Sequence, residues 1–125
     1  MTDLTDLTVS SMAIGGQNLP APTSQAIVAA GSIDIKHGCV TLAKTVAGPM
    51  AITLANPTAT DDDYKILHIL NAQAQANYVT VTGGYGNGGG SFDRATFGNA
   101  VGNTLTVQAY QGYWYVIGAL NCTLG

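Results

Sequence analysis

The chain has 125 residues, 46% of them apolar and only 9% charged, and its net charge of −3 comes from seven acids against four lysines and arginines. That length supplies one domain with one core. Lys36, Lys44, Lys65 and Arg94 are scattered, which excludes the basic stripe that holds a nucleic acid.

An average soluble domain carries about 25% charged residues, so the polar exterior here must come from Thr, Asn, Gln, Ser and Gly. All seven acids are aspartates. A surface with so little interspersed charge suits docking against copies of itself better than life as a free monomer.

Residues 1–30 hold apolar side chains at no sustained period, with Pro20 and Pro22 interrupting any helix. They read as an extended arm. Leu4, Leu7, Val9, Met12 and Ile14 would be wasted on a solvated tail, so the arm either orders on a neighbouring surface or is a free terminus. The opening "MTDLTDLTVSSMAIGG" has neither a basic segment nor an unbroken apolar one. No secretory leader is expected, and no stretch reaches the ~20 apolar residues of a membrane helix. Without an export signal, Cys39 and Cys122 are expected as buried thiols rather than a disulfide.

Residues 31–125 form the β-domain. A short phrase recurs in it, "CVTL" at 39–42, "AITL" at 51–54, "YVTV" at 78–81, "TLTV" at 104–107 and "NCTL" at 121–124. Each alternates apolar and Thr, the period of a strand with one face in a core. Strands are expected near 32–36, 39–44, 50–55, 64–71, 77–82, 103–110, 113–119 and 121–124, separated by turn signals such as "HG", "AGP" and "NPTATDDD". The spacings are too irregular for a solenoid repeat. The expected fold is all-β: an antiparallel β-sandwich, jelly roll or small barrel of about eight short strands.

The segment "NTLTVQAYQGYWYVIG" predicts a hairpin turning at Gln111-Gly112. Pairing Tyr110 with Tyr113 sets Ala109 opposite Trp114, Val107 opposite Val116 and Leu105 opposite Gly118, all toward the core. The other face carries Tyr110, Tyr113, Tyr115 and Ile117. Tyrosine is enriched at interfaces, so this face is either a contact between subunits or a second internal layer.

The glycine-rich stretch "GGYGNGGGSFD" contains Gly84, Gly86 and Gly89 in the G-x-G-x-x-G spacing of a dinucleotide cradle. That cradle also needs a helix directly after it and an acid about 20 residues on. Neither is present, because Gly98 and Gly102 interrupt the segment where the helix would run and Asp93 is the last acidic side chain. The stretch predicts a β-loop, flexible or tightly turning, and no cofactor. Catalysis has no better support. His37 sits in a turn and His68 in the strand "YKILHILN", with no local nucleophile motif beside either. Asp61, Asp62 and Asp63 lack the spacing of a calcium loop and read as a solvated turn. No catalytic residue and no metal site are assigned, and no enzyme activity is expected.

The phrases "GCVTLAKTVAGPMAITLANPTATDDDYKILHIL", "SFDRATFGNAVGNTLTVQAYQGYWYVIG" and "NCTLG" resemble those of small β-rich head decoration (cement) proteins of tailed bacteriophages, and more loosely tail-fibre modules. The resemblance covers about residues 31–125 and leaves the arm unmatched. It implies a homotrimer on the outer capsid surface of a virion, assembled in the host cytoplasm, whose partners are itself and the phage major capsid protein. The alternative it implies is a tail-fibre or receptor-binding module that recognises host surface glycans.

Overall fold

A computed structural model describes residues 23–44 and 47–125. Among the described residues, ten strands form two five-stranded sheets. They are β1 (Ser24–Ile27), β2 (Gly31–Ser32), β3 (Cys39–Leu42), β4 (Ala51–Leu54), β5 (Ile66–Asn71), β6 (Tyr78–Val81), β7 (Arg94–Phe97), β8 (Asn103–Tyr110), β9 (Tyr113–Leu120) and β10 (Cys122–Leu124). The first sheet runs β1-β3-β5-β8-β9 and the second β10-β7-β6-β4-β2. The fold is an all-β sandwich, as the alternation of Thr with apolar residues implies.

Pairing within the sheets departs from the expected antiparallel pattern. From β1 to β6 the chain alternates between the sheets, and each strand lies parallel to the one two before it. Parallel neighbours need a crossover, and here the crossover is a strand in the opposite sheet. This half is therefore coiled like a solenoid. Its irregular spacing has a simple cause: Ser24 pairs with Cys39 and Cys39 with His68, so successive coils use loops of unequal length. The chain then reverses, with β7 antiparallel to β6, β8 to β5, β9 to β8 and β10 to β7.

Two strands were not legible. β1 lies inside the segment expected as an arm, so the sheet begins before residue 30, and β7 comes directly after the glycine loop. The strand expected at 32–36 is only β2, after which Ile33 turns into the core.

The alternation sets the core. Val40 and Leu42, Ile52 and Leu54, Leu67 and Ile69, Val79 and Val81 point between the sheets, while Thr41, Thr53 and Thr80 point out. Phe97, Leu105, Val107 and Ala109 complete it, with Trp114 fully buried opposite Ala109 as predicted. The indole N–H donates to the Ala55 carbonyl at 2.7 Å, so this large ring is buried without an unpaired donor. One end of the sandwich is closed by uncharged polar side chains, because Asn77 accepts from the Met50 N–H at 2.7 Å and donates to Asn71 Oδ1 at 2.7 Å.

Candidate functional site

The β8–β9 hairpin turns through Gln111 and Gly112, both at positive φ, as a primed turn requires. Its register follows the sequence pattern to Val107 opposite Val116. A β-bulge then intervenes, so Thr106 faces Gly118 and Leu105 faces Ala119 instead of Gly118. The extra residue is Ile117, which is 53% exposed. A bulge re-aims one side chain of a strand, and here it leaves an isoleucine exposed to solvent.

Three of the residues singled out on this hairpin, Tyr110, Tyr113 and Tyr115, come together on the outer face of the first sheet. Tyr110 and Tyr113 are directly paired and nearly half exposed. Tyr64, also at positive φ, sets its ring 5.7 Å from that of Tyr110. Tyr115 is half-buried on the same face. These side chains lie on an outer surface, so the reading as a second internal layer is withdrawn. Leu4, Leu7, Val9, Met12 and Ile14 lie outside the described residues.

The rest of this face is more apolar than the sequence pattern suggests. Registers place Ser24, Cys39, His68, Thr106 and Gly118 in one row, and Ala26, Thr41, Leu70, Thr104 and Leu120 in the next. Ile66, Leu70 and Leu120 are all exposed. No Asp, Lys or Arg occupies either row. His68 is outward facing, with Nδ1 3.3 Å from the Thr106 hydroxyl. Cys39 and Cys122 are both partly buried, short of the full burial expected, and neither is in a disulfide. Cys122 packs against the core, and burial pushes its thiol up to about 11.

The outer face of the second sheet has a different chemistry. Ser32, Thr53, Thr80 and Arg94 form one row, and Ala51, Tyr78, Thr96 and Thr123 another. The Arg94 guanidinium lies 4.2 Å from the centre of the Tyr78 ring. Hydroxyls and a cation make this face compatible with water. The first sheet carries hydroxyls too, from Ser24, Thr41, Thr104 and Thr106, but sets exposed Ile66, Leu70, Leu120 and tyrosine rings among them, with no Lys or Arg in these rows.

The glycine loop is a structural clasp on β9. Gly86 N–H donates to the Trp114 carbonyl at 2.8 Å, and the Asn87 amide takes the Val116 N–H at 2.7 Å while donating to its carbonyl at 3.3 Å. These contacts occupy backbone groups along an edge strand, a position that otherwise invites pairing with another chain. Tyr85 anchors the loop, its buried hydroxyl donating to the Val79 carbonyl at 3.0 Å. Burial pushes that hydroxyl's pKa up, so it stays a donor. A Cβ at Gly86 would collide with the Tyr115 ring, and one at Gly84 would stand 2.5 Å from the Gly90 carbonyl oxygen. The glycines are there for close approach, and the turn has no long helix behind it to hold a phosphate.

The acidic cluster is also structural. Asp62 accepts from Lys65 Nζ and from the Thr58 N–H, each at 2.7 Å. The Lys65 hydrogen bond, followed by that from Thr58, holds its carboxyl below the usual value of 3.8. Asp63 accepts from the Gln111 N–H at 2.7 Å and from its side-chain amide at 2.6 Å, fixing the hairpin tip. Among the described residues no three His, Cys, Asp or Glu side chains are grouped to hold a metal ion. No helix among them is long and apolar enough to cross a membrane. Compared with known proteins, the chain matches no family model and no characterised sequence.

Proposed function

We propose that this chain is a non-enzymatic structural protein of a bacteriophage virion, decorating and stabilising the capsid by binding the assembled shell as a homo-oligomer. The observation that carries the reading is the outer face of the first sheet, where Ile66, Leu70, Tyr110, Tyr113 and Leu120 stand exposed and the two rows from β1 to β9 hold no Asp, Lys or Arg, with Asp63 tied to Gln111 at the hairpin tip. Exposed apolar side chains interspersed with uncharged polar ones suit an interaction site. The outer rows of the second sheet hold no Leu or Ile, and that difference supports one docked face and one wet face. The resemblance of residues 31–125 to phage decoration proteins supports the particular assembly.

Such a protein works by mass action. A ligand that binds only the assembled shell stabilises the shell, and many equivalent sites compound the effect. Neither step needs a catalytic group, a cofactor or a metal.

The test is the copy number of this chain relative to the major capsid protein in purified particles, together with the thermal stability of shells with and without it. Decoration predicts a fixed stoichiometry over the whole shell and a higher melting temperature when the protein is bound. A few copies per particle, or unchanged shell stability, would overturn it. A second reading, a fibre module that binds host glycans, is favoured by one feature: an open recess of about 390 Å³ lined by Asp93, Arg94, Thr96, Thr123 and Gly125. Low copy number with saturable glycan binding lost in Arg94→Ala would select it.

A further inference from the structure

Of the eight asparagines in the chain, only Asn87 is followed by glycine. It is also the residue that clasps β9, its Oδ1 accepting from the Val116 N–H at 2.7 Å and its Nδ2 donating to the Val116 carbonyl at 3.3 Å. We infer that Asn87 is a site of spontaneous covalent modification gated by this clasp: when the clasp opens, Asn87 cyclises onto the Gly88 nitrogen and is converted to isoaspartate, after which the clasp does not close again. The inference concerns the edge of β9 and does not depend on the reading of the outer face as a contact surface.

The residue types supply the chemistry. The Gly88 nitrogen gives up its proton to hydroxide and attacks Asn87 Cγ; the Cγ–Nδ2 bond breaks and ammonia leaves, closing a cyclic imide. Water then opens the ring. Attack at the side-chain carbonyl gives aspartate, whereas attack at the main-chain carbonyl breaks its bond to the Gly88 nitrogen and gives isoaspartate, with the backbone rerouted through the former side chain. Nothing is oxidised or reduced. Glycine favours the first step because it has no Cβ to crowd the attacking nitrogen, and Gly88 is exposed to water. Every other asparagine precedes a residue that carries a Cβ.

The fold supplies the gate. The Asn87 amide is committed to Val116 through both of its polar atoms, and both bonds must break before Cγ turns onto the Gly88 nitrogen. Two hydrogen bonds of ordinary net strength hold it shut by about thirtyfold. The product does not fit back. Isoaspartate adds a methylene to the main chain and lacks the amide that donated to Val116. The loop has no slack for the longer path: at Gly88, φ is positive and a Cβ would stand 2.6 Å from the Phe92 ring, and at Gly84 a Cβ would stand 2.5 Å from the Gly90 carbonyl oxygen. Val116 is then left with bare backbone groups on an edge strand, where another chain can pair.

The experiment incubates the folded chain at mildly alkaline pH beside the chain unfolded in urea and follows each asparagine by peptide mapping that separates aspartate from isoaspartate. Asn87 is expected to convert first in both samples, about thirtyfold more slowly when folded. Equal rates in the two states, earlier conversion at another asparagine, or an Asn87 that never converts while folded would overturn the inference. The isoaspartyl fraction of the folded sample carries an extra negative charge and separates by ion exchange. Hydrogen exchange at the Val116 amide then compares it with wild type and with Asn87→Ala, in which the clasp is removed without adding charge. The fraction is expected to exchange as fast as Asn87→Ala, while the amides of buried Leu67 and Ile69 on β5 stay as slow as in wild type. Wild-type exchange at Val116 would mean that the clasp re-forms, and loss of protection on β5 would mean that the whole domain opens; either result would overturn the inference.

Discussion

Asn77 is the position where a single substitution should cost most for its size. Its side chain is fully buried and makes three hydrogen bonds, to the Met50 N–H at 2.7 Å, Asn71 Oδ1 at 2.7 Å and Gln73 Oε1 at 3.0 Å. Asn77→Ala leaves the Met50 N–H and Asn71 Oδ1 buried without these partners, while Gln73 can turn to water. Each buried orphan costs about 1–3 kcal/mol, which puts the variant about 4 kcal/mol below wild type. Asn77→Asp is the sharper control. It keeps the acceptor for Met50 but points a second carboxylate oxygen at Asn71 Oδ1, so its deficit should be smallest below about pH 4, where the carboxyl is protonated, and grow as pH rises. Urea unfolding at matched protein concentration reads both. A loss under about 1 kcal/mol for Asn77→Ala, with an unchanged urea slope, would refute the view that this network closes the end of the sandwich.

Two further outcomes concern the acidic turn and the glycine loop. Because Asp62 titrates below its ordinary 3.8 in the folded chain, its bonds to Lys65 and Thr58 contribute stability above that pH and lose it as pH falls through the lowered value. The gap in thermal midpoint between wild type and Asp62→Asn should therefore be present at neutral pH and close in acid; a gap independent of pH would contradict this. In the glycine loop, Gly84 and Gly89 share positive φ, but only Gly84 has backbone where a Cβ would go. Gly89→Ala should cost about 1 kcal/mol for its backbone conformation, and Gly84→Ala clearly more; equal costs by thermal unfolding would remove the close-approach argument.

The strands with Thr on one face were legible because alternation is a local property. The facing of Trp114 and Ala109 was legible for the same reason, through a two-residue turn. Pairing direction was not, since "AITL" reads identically in a parallel or an antiparallel neighbour, and only the loops that join the strands decide. β1, "SQAI", is too short and too polar to announce itself beside Pro20 and Pro22, and β7, "RATF", is masked by the glycines before it. The bulge at Ile117 depends on what faces it across the sheet. The proposed contact face was half legible: the tyrosines stood out on one hairpin, but Ile66, Leu70 and Leu120 join them only once β5, β8 and β9 are known to be neighbours.

On the proposed reading, the outer face of the first sheet is buried against other molecules. Sedimentation equilibrium of the wild-type chain beside Ile117→Lys addresses it most directly, because Ile117 is exposed at the bulge and its replacement leaves the core intact. The expected result is a defined homo-oligomer, a trimer on the proposed reading, that the lysine dissociates to monomers with an unchanged far-ultraviolet spectrum. A wild-type chain that stays monomeric at high concentration, and binds no particle, would contradict it.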